Sequence, residues 1–162
     1  GRKTDFRNTV LVMTSNLGAG RFRRGKQLGF TGGEVQEREK LEGEVLADAR
    51  QTFAPEFLNR LDATLVFHPL DEDTLRTITR QLLAETGQRL DKLGISMEVE
   101  DEAVALLAEK GSDREYGARP LRRAIAAMVE DPAAELMLSG QLREGGAIKV
   151  LSRDRGVKVE LV

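Results

Sequence analysis

Val10, Leu11, Val12 and Met13 form an unbroken apolar run that ends at Thr14, Ser15 and Asn16. A strand covered on both faces of a parallel sheet has this pattern, with polar residues gathered at its C-terminal end. Leu17 to Gly33 is glycine-rich and basic, with Leu28 and Phe30 isolated among Gly25, Gly29, Gly32 and Gly33, and reads as a long loop. The spacing of Leu41, Val45, Ala49 and Phe53 then predicts a charged helix over 34–53 with a narrow apolar stripe. Pro55 restarts a short helix carrying Phe57, Leu58 and Leu61, and Ala63 to Phe67 reads as a second buried strand closed by His68 and Pro69.

After Pro69 the pattern changes to helices first and strands last. A long helix is expected from Glu72 to Leu93, capped by Asp71, with Leu75, Ile78, Leu82, Leu90 and Leu93 on its inner face and Gly94 as its stop. Ser96 to Glu100 reads as a short strand, and Asp101 as the cap of a helix that buries Val104, Leu107 and Ala108 before Gly111. Pro120 opens a helix burying Leu121, Ala124, Ile125 and Met128, and Asp131 with Pro132 is expected to break it and start another that ends at Gly140. Ala147 to Leu151 and Val157 to Val162 form a hairpin about Asp154 to Gly156, with Val157, Val159 and Leu161 alternating with polar residues. The boundary therefore falls at Pro69. Residues 1–69 read as part of an α/β layer structure and 70–162 as an α+β domain with a short sheet.

Composition narrows the chemistry. The 162 residues include no cysteine and a single histidine, His68, which removes thiolate metal sites and leaves little for zinc or an imidazole triad. His68, between a buried strand and a proline, reads as structural. A formal charge of −2 supplies no global basic field for nucleic acid, and the cluster Arg21, Arg23, Arg24 and Lys26 reads as a solvated loop. No apolar run approaches the roughly 20 residues that span a bilayer, and the N-terminus lacks a signal-peptide core, so a cytoplasmic location is expected.

Gly20 to Lys26, GRFRRGK, matches the glycine and lysine positions of a phosphate loop. The context fails. Gln27 stands where a Ser or Thr would hold magnesium, and Gly29, Gly32 and Gly33 prevent a helix from starting behind Lys26. No apolar strand ends in Asp-Glu either, so the pair that positions metal and water is missing.

Four motifs do occur in one order: DFRNTVLVMTSN (Asp5 to Asn16), FAPEFLNRLD (Phe53 to Asp62), VFHPL (Val66 to Leu70) and YGARPLRRAI (Tyr116 to Ile125). Together they resemble the second ATPase module of the Clp-type AAA+ unfoldases, over nearly the whole chain. The resemblance implies that residues 1–69 are the C-terminal portion of the AAA+ large subdomain, without Walker A and B, and that 70–162 are its small domain. It implies that Asn16 is sensor 1, orienting water against the γ-phosphate, and that Arg60 is an arginine finger acting on a neighbouring subunit. The bland rival for Arg60 is a surface salt bridge with Asp62 or Glu56. Arg119 resembles sensor 2, reaching ATP from the start of a helix, while Arg122 and Arg123 have weaker claims. Leu28, Gly29 and Phe30 resemble the loop by which ClpC and ClpA dock on the peptidase ClpP, a loop that the disaggregase ClpB lacks.

The implied parent uses ATP and magnesium, assembles into a ring expected to be a hexamer, and feeds unfolded proteins to ClpP. The chain by itself is expected to hold neither cofactor tightly and to be inactive, with no nucleic-acid or membrane partner. Two other readings stand beside this one: a ClpB-like disaggregase part, and an assembly or adaptor module without catalytic role.

Overall fold

The computed structural model describes residues 5–20, 34–113 and 117–162, apart from the side chains of 34–38. The chain divides into two units, Gly1–His68 and Pro69–Val162.

In the first unit, helix α1 covers Glu34–Thr52 and helix α2 covers Pro55–Leu58. Pro55 lies in the first turn of α2, where its missing N–H costs no hydrogen bond. The rings of Phe53 and Phe57 meet at 5.3 Å across the break between the helices. Gly18 has φ +73, and a Cβ placed on it would stand 2.6 Å from Val45 Cγ2, so the chain passes α1 at a distance only glycine allows.

Neither strand expected in this unit is formed. Residues 9–16 and 63–70 are irregular, and Val10, Leu11 and Val12 are 90%, 76% and 79% exposed. The run Val10 to Met13 has the composition of a strand covered on both faces, but that expectation is not met. Such a strand exists only with neighbours to bond and helices to pack against, and among the described residues of this unit it has neither.

The second unit begins with α3, Glu72–Asp91, whose N-cap Asp71 accepts the Thr74 N–H at 2.8 Å. Its buried stripe is Thr79, Leu83, Thr86 and the expected Leu90, with the expected Ile78 and Leu82 half-buried against the core, while Leu93 is exposed. Two threonines line this stripe because their hydroxyls find acceptors, that of Thr79 the Leu75 carbonyl at 2.8 Å and that of Thr86 the Glu130 carboxylate at 2.8 Å, which removes the cost of burying them. Strand β1, Ser96–Val99, leads to α4, Asp101–Lys110. Asp101 is the first helical residue of α4 rather than its cap, and its carboxylate instead receives Arg80 at 2.9 Å.

An α-helix does begin at Asp131 and Pro132 as expected, but no break separates it from the helix before it. Helix α5, Leu121–Ile125, runs through a π-helical turn, Ala126–Glu130, into α6, Asp131–Leu138, with αR backbone at the junctions. A proline inside an α-helix meets the carbonyl four residues behind it, here that of Met128, with a ring and no donor. The widened π turn makes room for the ring without ending the helix. Leu121, Ile125, Val129 and Ala133 point inward along this segment. Ala124 and Met128, expected in the core, are only half-buried.

Strands β2, Ala147–Arg153, and β3, Gly156–Leu161, complete a sheet of order β1-β2-β3. β1 runs parallel to β2, reached through the helices as a parallel pair requires, and β2 and β3 form the expected hairpin. One core cluster joins Leu83, Ala103, Val104, Leu107, Leu121, Ile125, Val129 and Val150, and a second joins Leu90, Ile95, Ala133, Leu142 and Ile148.

Asp154 and Arg155, the two residues of the hairpin turn, have φ of 52 and 59. Such a turn matches the strand twist but places an Arg in the left-handed region, at a cost glycine avoids. Arg155→Gly is therefore expected to raise stability by about 0.5–1 kcal/mol, read as an increase in Tm of the isolated chain. An unchanged or lowered Tm would mean that the Arg155 side chain contributes more than its backbone strain costs.

Candidate functional site

Asn16 lies on the irregular segment that follows the apolar run, exposed, with its carbonyl accepting the Ala19 N–H at 3.2 Å to make a turn. Arg60 follows Asn59, the C-cap of α2, and its N–H donates to the Phe57 carbonyl at 3.1 Å. Leu58 and Leu61 on either side of it are half-buried, which turns the Arg60 side chain outward. Among the described residues Arg60 forms no ion pair, so the salt bridge to Glu56 or Asp62 that a surface arginine would make is not made. His68 ends the first unit with its Nε2 3.8 Å from a Glu42 carboxylate oxygen, tying that end of the unit to α1.

Arg119 belongs to the second unit. It is exposed in the turn before α5, followed by Pro120 with φ −70 and by the fully buried Leu121. The leucine fixes the start of the helix in the core, and the arginine two residues earlier is left at the surface beside its free N–H groups. Arg122, one turn on, crosses to α3 and meets Glu85 at 3.2 Å.

Leu28, Gly29 and Phe30, the basic cluster around them and Tyr116 lie outside the described residues.

A polar cluster that the sequence did not reveal sits where α3 meets the π turn. The Glu130 carboxylate accepts the Thr86 hydroxyl at 2.8 Å and also takes Arg89, whose guanidinium donates to the same hydroxyl at 2.9 Å. With Leu82, Glu85, Arg122 and Ile125, these residues line an open cleft of about 230 Å³. Its two arginines are each matched by a glutamate, so the cleft is electrostatically closed and clamps α3 to the helix that Arg119 precedes. The cluster joins residues 44 and 41 positions apart in the chain, a meeting that no local pattern signals. Among the described residues, no group of His, Asp and Glu side chains could hold a metal ion, and no helix is long and apolar enough to cross a membrane.

A family model described as the C-terminal, D2-small domain of ClpB protein matches residues 70–150, and another described as an AAA domain of the Cdc48 subfamily matches residues 1–64. The two matches define an AAA-type protein in two parts. The chain belongs to the Clp family. It is 43% identical over 146 residues to the negative regulator of genetic competence ClpC/MecB of Bacillus subtilis, covering 90% of this chain and 18% of that protein. It is 42% identical over 151 residues to the ATP-dependent Clp protease ATP-binding subunit ClpC of Staphylococcus saprophyticus, covering 93% of this chain and 18% of that one. Identity to the chaperone protein ClpB of Oceanobacillus iheyensis is 37% over 157 residues, covering 96% and 19% of the two chains. The chain thus spans less than a fifth of the length of these relatives, and the higher identities favour a ClpC-like over a ClpB-like assignment.

Proposed function

We propose that this chain serves as the C-terminal part of the second ATPase module of a ClpC-like protein unfoldase, supplying groups that sense and help to hydrolyse ATP bound elsewhere. Asn16 orients the attacking water, Arg60 reaches the γ-phosphate held by a neighbouring subunit, and Arg119 touches the nucleotide of its own subunit. A guanidinium suits both arginine roles, because its planar fork gives two donors to phosphate oxygens and spreads the charge of the transferring phosphoryl group. Magnesium accompanies ATP on residues outside this chain. Leu28, Gly29 and Phe30 dock on ClpP, and the ring threads unfolded proteins toward it.

The observation that carries this reading is the setting of the two arginines. Each is exposed, and each lies within two residues of an apolar anchor, Leu58 and Leu61 for Arg60 and Leu121 for Arg119. Side chains held at a fixed place on the surface and left free to meet an outside anion are what a phosphate contact from another domain or subunit requires.

The test is a chimera in which this chain replaces the matching segment of the Bacillus subtilis relative. The chimera is expected to form rings and hydrolyse ATP, with Arg119→Ala lowering hydrolysis at its own site. A chimera that assembles normally yet hydrolyses no ATP would overturn the proposal in favour of an assembly module. The isolated chain is expected to show no ATPase activity, because sensors without a phosphate loop offer only separate charges. Turnover by the purified chain that Lys26→Ala abolished would restore the rejected phosphate loop at Gly20 to Lys26.

A further inference from the structure

β3 is an edge strand, and its outward side carries a self-complementary pattern. Two hydrogen bonds fix which amides face outward. The Glu100 N–H donates to the Val150 carbonyl at 3.0 Å, so Val150 is turned toward β1, and Val159, its partner in the ladder, is turned away from β2. The Val162 N–H donates to the Ala147 carbonyl at 3.0 Å, so residue 162 is turned inward. Alternation along the strand then directs the N–H and C=O groups of Val157, Val159 and Leu161 out of the sheet. Among the described residues none of these outward groups has a main-chain partner.

We propose that this edge pairs with the same edge of a second copy, antiparallel, about a two-fold axis at Val159. Val159 then faces Val159, Val157 faces Leu161, and Lys158 faces Glu160 in both symmetry-related positions. Every outward amide is used, giving about six main-chain hydrogen bonds, and the charged pairs fall at the positions of closest cross-strand approach. The neighbouring registers that also match outward amides are worse. A shift one way sets Lys158 against Lys158, and a shift the other way sets Glu160 against Glu160, so charge selects the one register. The apolar face gains as well. Leu161 is 45% exposed, and in this pairing it receives Val157 of the second copy on the face that already holds Ile148 and Val150.

Lys158 and Glu160 are engaged within the chain, with Asp154 at 2.8 Å and Arg153 at 2.6 Å. Their side chains are nonetheless about half and two-fifths exposed, so each can share its charge with a second partner. Edges of this kind are normally blunted by a lone lysine, which repels another copy. Here the lysine is two residues from a glutamate, and the same two charges attract across a two-fold.

The experiment is sedimentation equilibrium of the 162-residue chain at low salt, from micromolar to millimolar concentration. A monomer–dimer equilibrium is expected. Lys158→Glu and Glu160→Lys should each weaken it about ten-fold, since each creates two like-charge contacts. The double variant Lys158→Glu with Glu160→Lys should restore it, because the swapped charges face one another again. Val159→Pro removes an outward donor without touching the bonds to β2, and should abolish the dimer while leaving the far-ultraviolet circular dichroism of the chain unchanged. A chain that stays monomeric throughout would overturn the proposal. So would a dimer indifferent to the single charge reversals, or one that the double variant fails to restore, either of which would place the contact elsewhere.

Discussion

Arg60→Ala, in rings of the Bacillus subtilis chimera, is expected to depress ATP hydrolysis by about a thousand-fold while leaving the fold of the subunit unchanged. The size follows from the role proposed for it: an arginine supplied to a transferring phosphoryl group from outside its own site is worth roughly 10³ or more in rate. The sparing of the fold follows from the structure, because the side chain is exposed and supports no ion pair among the described residues. Arg60→Lys keeps the charge and loses the planar fork, so it should recover little of the rate. Mixed rings separate this role from a local one. A variant subunit should silence the site of its neighbour and leave its own intact, whereas Arg119→Ala should do the reverse. Hydrolysis lost only at the site of the subunit that carries Arg60→Ala would remove the finger assignment.

Leu121→Ala should have the largest effect on stability, about 3 kcal/mol, lowering Tm by at least roughly 10 °C in thermal unfolding of the isolated chain. Leu121 is fully buried among Leu107, Ile125 and Val129. Its neighbour Gly111 shows how little space surrounds it: a Cβ there would stand 2.5 Å from Leu121 Cδ1 and 2.8 Å from the Leu107 carbonyl oxygen. A site so tightly enclosed by backbone collapses poorly around a lost side chain, which puts the cost well inside the range for large-to-small core changes. Leu138→Ala is the control. That leucine is 89% exposed, and its loss should move Tm by little. Equal effects from the two substitutions would mean that the helix from Leu121 to Leu138 does not hold the core as described.

The second unit was largely legible from its sequence because its signals are local. Asp71 capping α3, Gly94 in a left-handed turn after it and the alternation of Val157, Val159 and Leu161 each act within a few residues, and each appears where the pattern put it. What was misread depended on the surroundings. The apolar pattern of α3 gives no place to Thr79 and Thr86, yet both lie inside, because Thr79 bonds back to the Leu75 carbonyl and Thr86 to Glu130. The segment Val10 to Met13 has the composition of a central strand, but strand formation is a property of the neighbours as much as of the run itself. The place of Arg60 between Leu58 and Leu61, and of Arg119 before the helix that buries Leu121, is legible in the sequence; the exposure of both arginines is what the structure adds.

The π turn also settles a matter of angular phase. Inward residues at Leu121, Ile125, Val129 and Ala133 recur every fourth position, whereas an α-helix repeats every 3.6, so each step of four overshoots a full turn by about 40°. Over three such steps a straight helix would carry Ala133 about a third of the way round the axis from Leu121. The wider turn over 126–130 adds residues without adding as much rotation and takes the overshoot back. With the wider turn just before Pro132, one face of a long helix reaches both core clusters, Leu121 serving the first and Ala133 the second.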